Sequence, residues 1–324
     1  MTPLLLSLAI DPKTPTDAQR LAHALQQLTA EDPELRVRTG HIAGAVVIGC
    51  GSEEHLATVV DRLGREFHVE ASVGRPEIAY REALTRPADG EAKYACQTRG
   101  RGEYGHVKIR LYPGRSGTGY VFENHLYGGV IPAEFIEPIK EGVQDALTRG
   151  VVAGYPINDV RVELYDASYH DADSTDGAFR MAGSLAVENA ARKADPIVLE
   201  PVMHVEAVVP AEYLADVMNS LLLRRGQIRS REDCGDTHII RALVPLAGLF
   251  GYGIDLRSRT RGRGTCAMQF EEYVPLQAAD DDDDCQDAMV GARLKPAPTL
   301  RDSGIALSEP DVGPTRFPDD ELSR

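Results

Sequence analysis

Residues 202-VMHVEAVVPAEYLADVMNSLLLRRGQIRSREDCGDTHIIRALV-244 decide the fold. Val202–Val209 reads as a strand, Ala211–Leu223 as a helix, and Gln227–Arg231 with His238–Val244 as a hairpin about a Cys234-Gly-Asp turn. A helix over Leu246–Leu256 and a closing strand over Thr265–Tyr273 complete the order βαββαβ. The same order stands at the other end of the chain. Leu4–Ile10 is a strand, Thr16–Thr29 an amphipathic helix that stops before Asp32-Pro33, and Arg36–Arg38 and Ala45–Ile48 are two more strands. Glu53–Phe67 then places Leu56, Val59, Val60 and Leu63 on one helical face, and His68–Val73 closes the unit. Residues 1–75 and 199–275 are thus two copies of one α+β architecture without convincing identity between them.

Between these units, residues 76–198 carry strands around Tyr94, Val107–Leu111, Tyr120–Glu123 and Val160–Tyr165, with helices near Glu134–Thr148 and Ser174–Lys193. Three domains follow, which suits 324 residues. The tail, 276–324, carries five consecutive aspartates at 280–284 and contains Lys-Pro-Ala-Pro, a composition that predicts disorder. No apolar run approaches the roughly 20 residues of a membrane span. The start lacks a cationic leader and a small-residue cleavage site. Five scattered cysteines without a C-x-x-C pair argue against a disulfide framework or a zinc ribbon and fit a reducing cytoplasm.

The net charge is −15, and the tail alone holds 12 acids against 5 bases. Cations in the body gather in Gly-rich stretches, 97-QTRGRGEYGHVKIRL-111, 224-RRGQIRSRE-232 and 256-LRSRTRGRG-264. The first reads foremost as a β-hairpin tip with glycines at positive φ, and compatibly with that as a basic finger whose Arg99, Arg101 and His106 could meet a phosphate backbone. The other two read as solvated helix and hairpin ends, or as RNA-facing patches. No phosphate-binding loop, nucleophile set or metal-ligand spacing is present, so no catalytic, cofactor or metal residue is expected. In 165-YDASYHDADSTDGAFRMAGS-184 an exposed imidazole precedes a helix that Asp173 or Ser174 can cap, with Asp171, Asp173 and Asp176 placed where the helix dipole favours negative charge.

Several of these stretches resemble one family. The runs 97-QTRGRGEYGHVKI-109, 128-GGVIPAEFI-136, 168-SYHDADST-175, 181-MAGSLA-186 and 193-KADPIVLEPV-202 are similar to the fourth domain of translation elongation factor G and its join to the last domain. The runs 224-RRGQI-228 and 248-GLFGYGIDLRSRTRGRG-264 resemble its fifth domain, and 8-LAIDPKT-14 with 74-GRPEIAYRE-82 its third. The resemblance is collinear over residues 1–275. It implies ferredoxin-like βαββαβ domains at 1–75 and 199–275, flanking a ribosomal-protein-like α+β domain at 76–198 that contains a left-handed βαβ crossover.

Function is implied in the same way. In the family the fourth domain enters the decoding site of the small ribosomal subunit, as a tRNA mimic in translocation. His170 then corresponds to the tip, Asp171 and Ser174 to its loop partners, and Arg99 and Arg101 to the neighbouring loop. Arg224, Arg225, Arg257, Arg261 and Arg263 would face large-subunit RNA. The resemblance includes neither the GTPase nor the second domain, so GTP would enter only through a partner or a missing domain. Where the family carries a G-M-G-E-L-H-L-E signature beside the GTPase switch regions, this chain has 50-CGSEEHLA-57, keeping Glu53 and His55 as domain-coupling candidates. The expected partners are the ribosome, at the A-site tRNA–mRNA region, and a separate translational GTPase, with no membrane and a cytoplasmic location. Three functions stand at this point: a GTPase-less ribosome-binding factor, one half of a split translocase, or a truncated paralogue that acts on nothing.

Overall fold

The computed structural model describes residues 4–39, 46–98 and 101–276, so the expected tail lies outside the described residues apart from Leu276. The first unit contains strand β1 (Leu6–Pro12), helix α1 (Pro15–Glu31), β2 (Arg36–Thr39), β3 (Val46–Cys50), α2 (Glu53–Arg65) and β4 (Ala71–Val73). Local chemistry sets the helix starts. Thr14 caps α1 by accepting from the Asp17 N–H at 3.1 Å, with proline at the first helical position, and Ser52 caps α2 by accepting from His55 N–H at 3.3 Å. The strands order as β2-β3-β1-β4, antiparallel throughout.

Two short strands follow, β5 (Glu77–Ile78) and β6 (Arg81–Ala83). The middle unit holds β7 (Ala88–Thr98), β8 (Arg101–Pro113), β9 (Tyr120–Asn124), α3 (Ile136–Arg149), β10 (Val160–Ser168) and α4 (Asp176–Lys193). The last unit holds β11 (Ile197–Pro210), α5 (Leu214–Leu223), β12 (Gln227–Cys234), β13 (Thr237–Pro245), α6 (Tyr252–Arg259) and β14 (Thr265–Pro275). Its sheet runs β12-β13-β11-β14. Renumbered from its own first strand, this is the order of the first sheet. The duplication read from hydrophobic periodicity is therefore a duplication of topology, and both outer units are ferredoxin-like. In the middle sheet, β7-β8-β10-β9, strands β9 and β10 pair in parallel across the α3 connection.

Apolar burial groups these units in two bodies. One continuous cluster runs through both outer units, from Leu6, Ile10, Leu28 and Ile48 to Val205, Val217, Ile240 and Tyr252. The middle unit has its own core, built from Val107, Ile109, Leu111, Val162 and Leu164 under Ile139, Val143, Phe179 and Val187. At roughly 25 cal/mol per Å² of apolar surface removed from water, each cluster supplies the driving force for its own body. The middle unit is thus an arm on a two-domain base. The stretch 77–83, read above as the start of the middle unit, lends β5 to the first sheet and β6 to the last. Among the described residues no helix is long and apolar enough to cross a membrane.

Candidate functional site

The tip of the arm is built by β7, β8, β10 and the turn that leads into α4. Strand β10 ends at Ser168, opposite His106 of β8, while the β7–β8 hairpin continues to the Thr98–Arg101 pair. Arg99 lies outside the described residues. Arg101 opens β8 at the hairpin end, on the same end of the domain as the His170 turn.

His170 stands out from a tight turn. Its carbonyl accepts the N–H groups of Asp173 at 3.2 Å and Ser174 at 3.0 Å, and its own N–H donates to Ser174 Oγ at 2.9 Å. The imidazole remains 64% exposed, 3.6 Å from an Asp173 carboxylate oxygen and 6.2 Å from the Tyr104 ring. Asp171 is exposed and accepts the Tyr169 hydroxyl, which pushes that phenol's pKa up. Neither Asp173 nor Ser174 caps the helix. Thr175 does, accepting from Ala178 N–H at 3.2 Å, so α4 begins at Asp176 rather than at Ser174. The reason is geometric: Ser174 Oγ already holds the turn, and Ser174 bridges to Tyr104.

Gly100 lies outside the described residues, and the other two glycines of the hairpin have another cause than the one expected. Gly102 and Gly105 lie inside β8, and neither is among the positive-φ glycines. A Cβ on Gly102 would stand 2.6 Å from the Asp173 carboxyl carbon, and one on Gly105 2.8 Å from the Ala178 carbonyl. These residues are small so that β8 can press against the turn and the first turn of α4. Behind the tip, Tyr104 and Ser168 hydroxyls meet at 3.0 Å, Ser168 Oγ meets His106 Nδ1 at 2.9 Å, and His106 Nε2 meets Glu91 at 2.8 Å. Sequence reading missed this chain of polar contacts across three strands, because register is invisible before the strands are paired.

The arginines of the last unit divide. Arg224 donates to Gly248 O at 2.5 Å and to Asp255 at 3.1 Å, and lies over the Tyr252 ring. Burial works against the Asp255 carboxylate, but the Arg259 and Arg224 guanidiniums outweigh it and hold its pKa below the ordinary value. Arg225 forks onto Glu200 at 3.0 and 2.7 Å, where the glutamate is only 3% exposed. Arg263 is engaged by Glu212 and by the Tyr213 hydroxyl. Arg257 and Arg261 are exposed, and their side chains make no hydrogen bond or ion pair among the described residues. Buried Thr260 organises that corner, donating to Leu256 O at 2.7 Å and accepting from Gly264 N–H at 2.8 Å.

The residues expected to couple domains face other elements of this chain. Glu53 accepts the Gly251 N–H at 3.0 Å, at the start of α6, and so ties the first unit to the last. His55 Nε2 meets Asp32 at 2.5 Å at the end of α1. Glu123, His125 and Glu163 bring ligand atoms within 4.8 Å of one another. Arg161 already bridges both carboxylates there, at 3.2 and 2.7 Å, so the group is an ion-pair network.

Comparison with known proteins gives three consecutive family matches. Residues 1–75 match Elongation Factor G, domain III; residues 76–195 match Elongation factor G, domain IV; and residues 197–283 match Elongation factor G C-terminus. A crystal structure of a protein from Thermus thermophilus is 37% identical and superposes with a TM-score of 0.64 over 85% of this chain. This chain spans 41% of that one, less than half its length. The matched regions are domains other than the GTPase. With all three matches in chain order and covering most of its length, the chain belongs to the elongation factor G family, as a translation factor fragment made of that family's third, fourth and C-terminal domains.

Proposed function

We propose that this chain binds the ribosome and presents the fourth-domain tip to the decoding A site on the small ribosomal particle, as a tRNA mimic in translocation, through domains other than the GTPase. The single observation that carries the reading is the construction of the tip. An exposed imidazole is held out by three hydrogen bonds of its own turn, on a hairpin whose glycines let the turn seat closely. An imidazole there can donate to phosphate or base edges. Arg257 and Arg261 supply a second contact to RNA phosphate, on the C-terminal domain. GTP would enter through a partner or through a domain outside these residues.

A second reading is half of a split translocase working with a separate GTPase. Co-sedimentation with ribosomes at two salt concentrations, with and without a translational GTPase, tests both. Binding by the chain alone should fall steeply with salt, because phosphate contacts release counterions. His170→Ala should weaken it with folding unchanged. Binding that ignores both salt and His170 sinks the proposal; binding that appears only with the GTPase selects the split form.

A further inference from the structure

Glu82 is fully buried, on β6 in the sheet of the C-terminal domain, opposite Val198 of β11. Its carboxylate leaves that sheet and enters the fourth domain. One oxygen accepts the N–H groups of Val152, Ala153, Gly154 and Tyr155 at 3.1, 2.8, 3.1 and 3.3 Å; the other accepts Val151 at 2.8 Å and Val152 at 3.1 Å. Five successive backbone N–H groups therefore converge on one side chain, and among the described residues no cation pairs with it. The glutamate backbone joins the same loop: its N–H donates to Pro156 O at 2.9 Å, and its carbonyl accepts Asn158 N–H at 3.3 Å.

A concave run of amides is an anion site. A buried carboxylate is tolerated only where hydrogen bonds replace its water, and charge-assisted bonds are the strong ones. Here the anion is part of the chain. The two passages between base and arm are also laced together close by, since Thr85 and Arg86 bond to Lys193, Ala194 and Asp195. Those ties join the passages to each other. Glu82 sends its side chain from the base sheet into the body of the arm, and next to it the Tyr80 ring packs on that of Tyr155 in the same loop, with centroids 5.2 Å apart.

We infer that Glu82 is a positioning residue that fixes the direction of the fourth-domain arm against the base, by seating its charge in the 151–155 amide nest. The inference rests on the reading that the arm's tip is the working end. Charge does the holding more than shape. A glutamine in this place has the same size, but it turns an NH₂ group toward donors.

The test is a pair of spin-label distance measurements on the full chain, after Cys96, Cys234, Cys266 and Cys285 are changed to serine, leaving only the buried Cys50. One pair, Gln26→Cys with Val121→Cys, spans base and arm. The other, Val121→Cys with Met181→Cys, lies within the arm. Glu82→Gln should broaden the base-to-arm distribution at least twofold and leave the within-arm distribution unchanged. An unchanged base-to-arm distribution overturns the inference, and so does equal broadening of both pairs, which would mean general loosening. Glu82→Ala should broaden the first pair further; if it fails to fold, the isosteric variant still decides. These distances need no ribosome, so their outcome is independent of the co-sedimentation result.

Discussion

The tip of the fourth domain and the arginine-rich corner of the C-terminal domain look alike as sequence: each mixes cations, glycines and small polar residues. Their structures use charge in opposite ways. At the tip, hydrogen bonds hold the backbone and leave the imidazole of His170 exposed. At the corner, Arg224, Arg225, Arg259 and Arg263 are committed to Asp255, Glu200 and Glu212. Counting arginines overstates the surface available to RNA, because a guanidinium already paired within the fold is less free to meet phosphate, most of all Arg225 on the buried Glu200. Availability is decided by the acids that fold next to each base, and those come from distant segments.

The largest expected effect follows from that division. Arg225→Ala strands the Glu200 carboxylate, nearly inaccessible to water, without its partner. Removing one member of such a pair costs about 3 kcal/mol, since an uncompensated buried charge remains. Chemical denaturation of Arg225→Ala and of Arg225→Ala with Glu200→Ala should show the double variant recovering part of the loss. A loss under about 0.5 kcal/mol, the range of ordinary surface changes, would return Arg225 to the RNA-facing group and collapse the contrast.

On the tip side the comparable test is steric. Gly105→Ala puts a methyl 2.8 Å from the backbone of Ala178, where only a shift of β8 or α4 makes room. Overpacking of this kind costs about 1–3 kcal/mol. The same shift moves the turn that carries His170, so ribosome binding should fall together with thermal stability. Stability lost with binding intact would show that the close approach serves packing and not the presentation of the imidazole.

Much of this was legible in the sequence. Periodicity showed the βαββαβ order of both outer units, the family resemblance implied that they are ferredoxin-like, and the order survived as one sheet topology in each. The hairpin of 97–111 was legible too, but the purpose of its glycines was not. Positive φ is the commonest reason for glycine in a hairpin, whereas Gly102 and Gly105 answer to Asp173 and Ala178, some 70 residues away in sequence. The helix cap slipped by one residue for a related reason. Ser174 and Thr175 are both good caps, and only the turn geometry shows that Ser174 is already used. The five-amide nest of Glu82 was beyond reach, because a glutamate in R-E-A-L carries no mark of burial.

The smallest effect on folding sharpens the comparison most. Arg257 and Arg261 are exposed arginines without a hydrogen-bond or ion-pair partner among the described residues, so replacing both by alanine should change stability by no more than about 0.5 kcal/mol. Their contribution should surface in binding. Removing one phosphate-binding cation reduces the slope of log affinity against log salt by about 1, so the double variant should bind ribosomes with a slope shallower by about 2. Arg224→Ala, by contrast, removes a guanidinium already engaged by Gly248 and Asp255, and should lower stability while leaving the salt slope almost unchanged. Opposite outcomes for the two sets would place the RNA-facing cations on the engaged side of the corner. The partition of free and committed arginines would then have to be redrawn from the bound state.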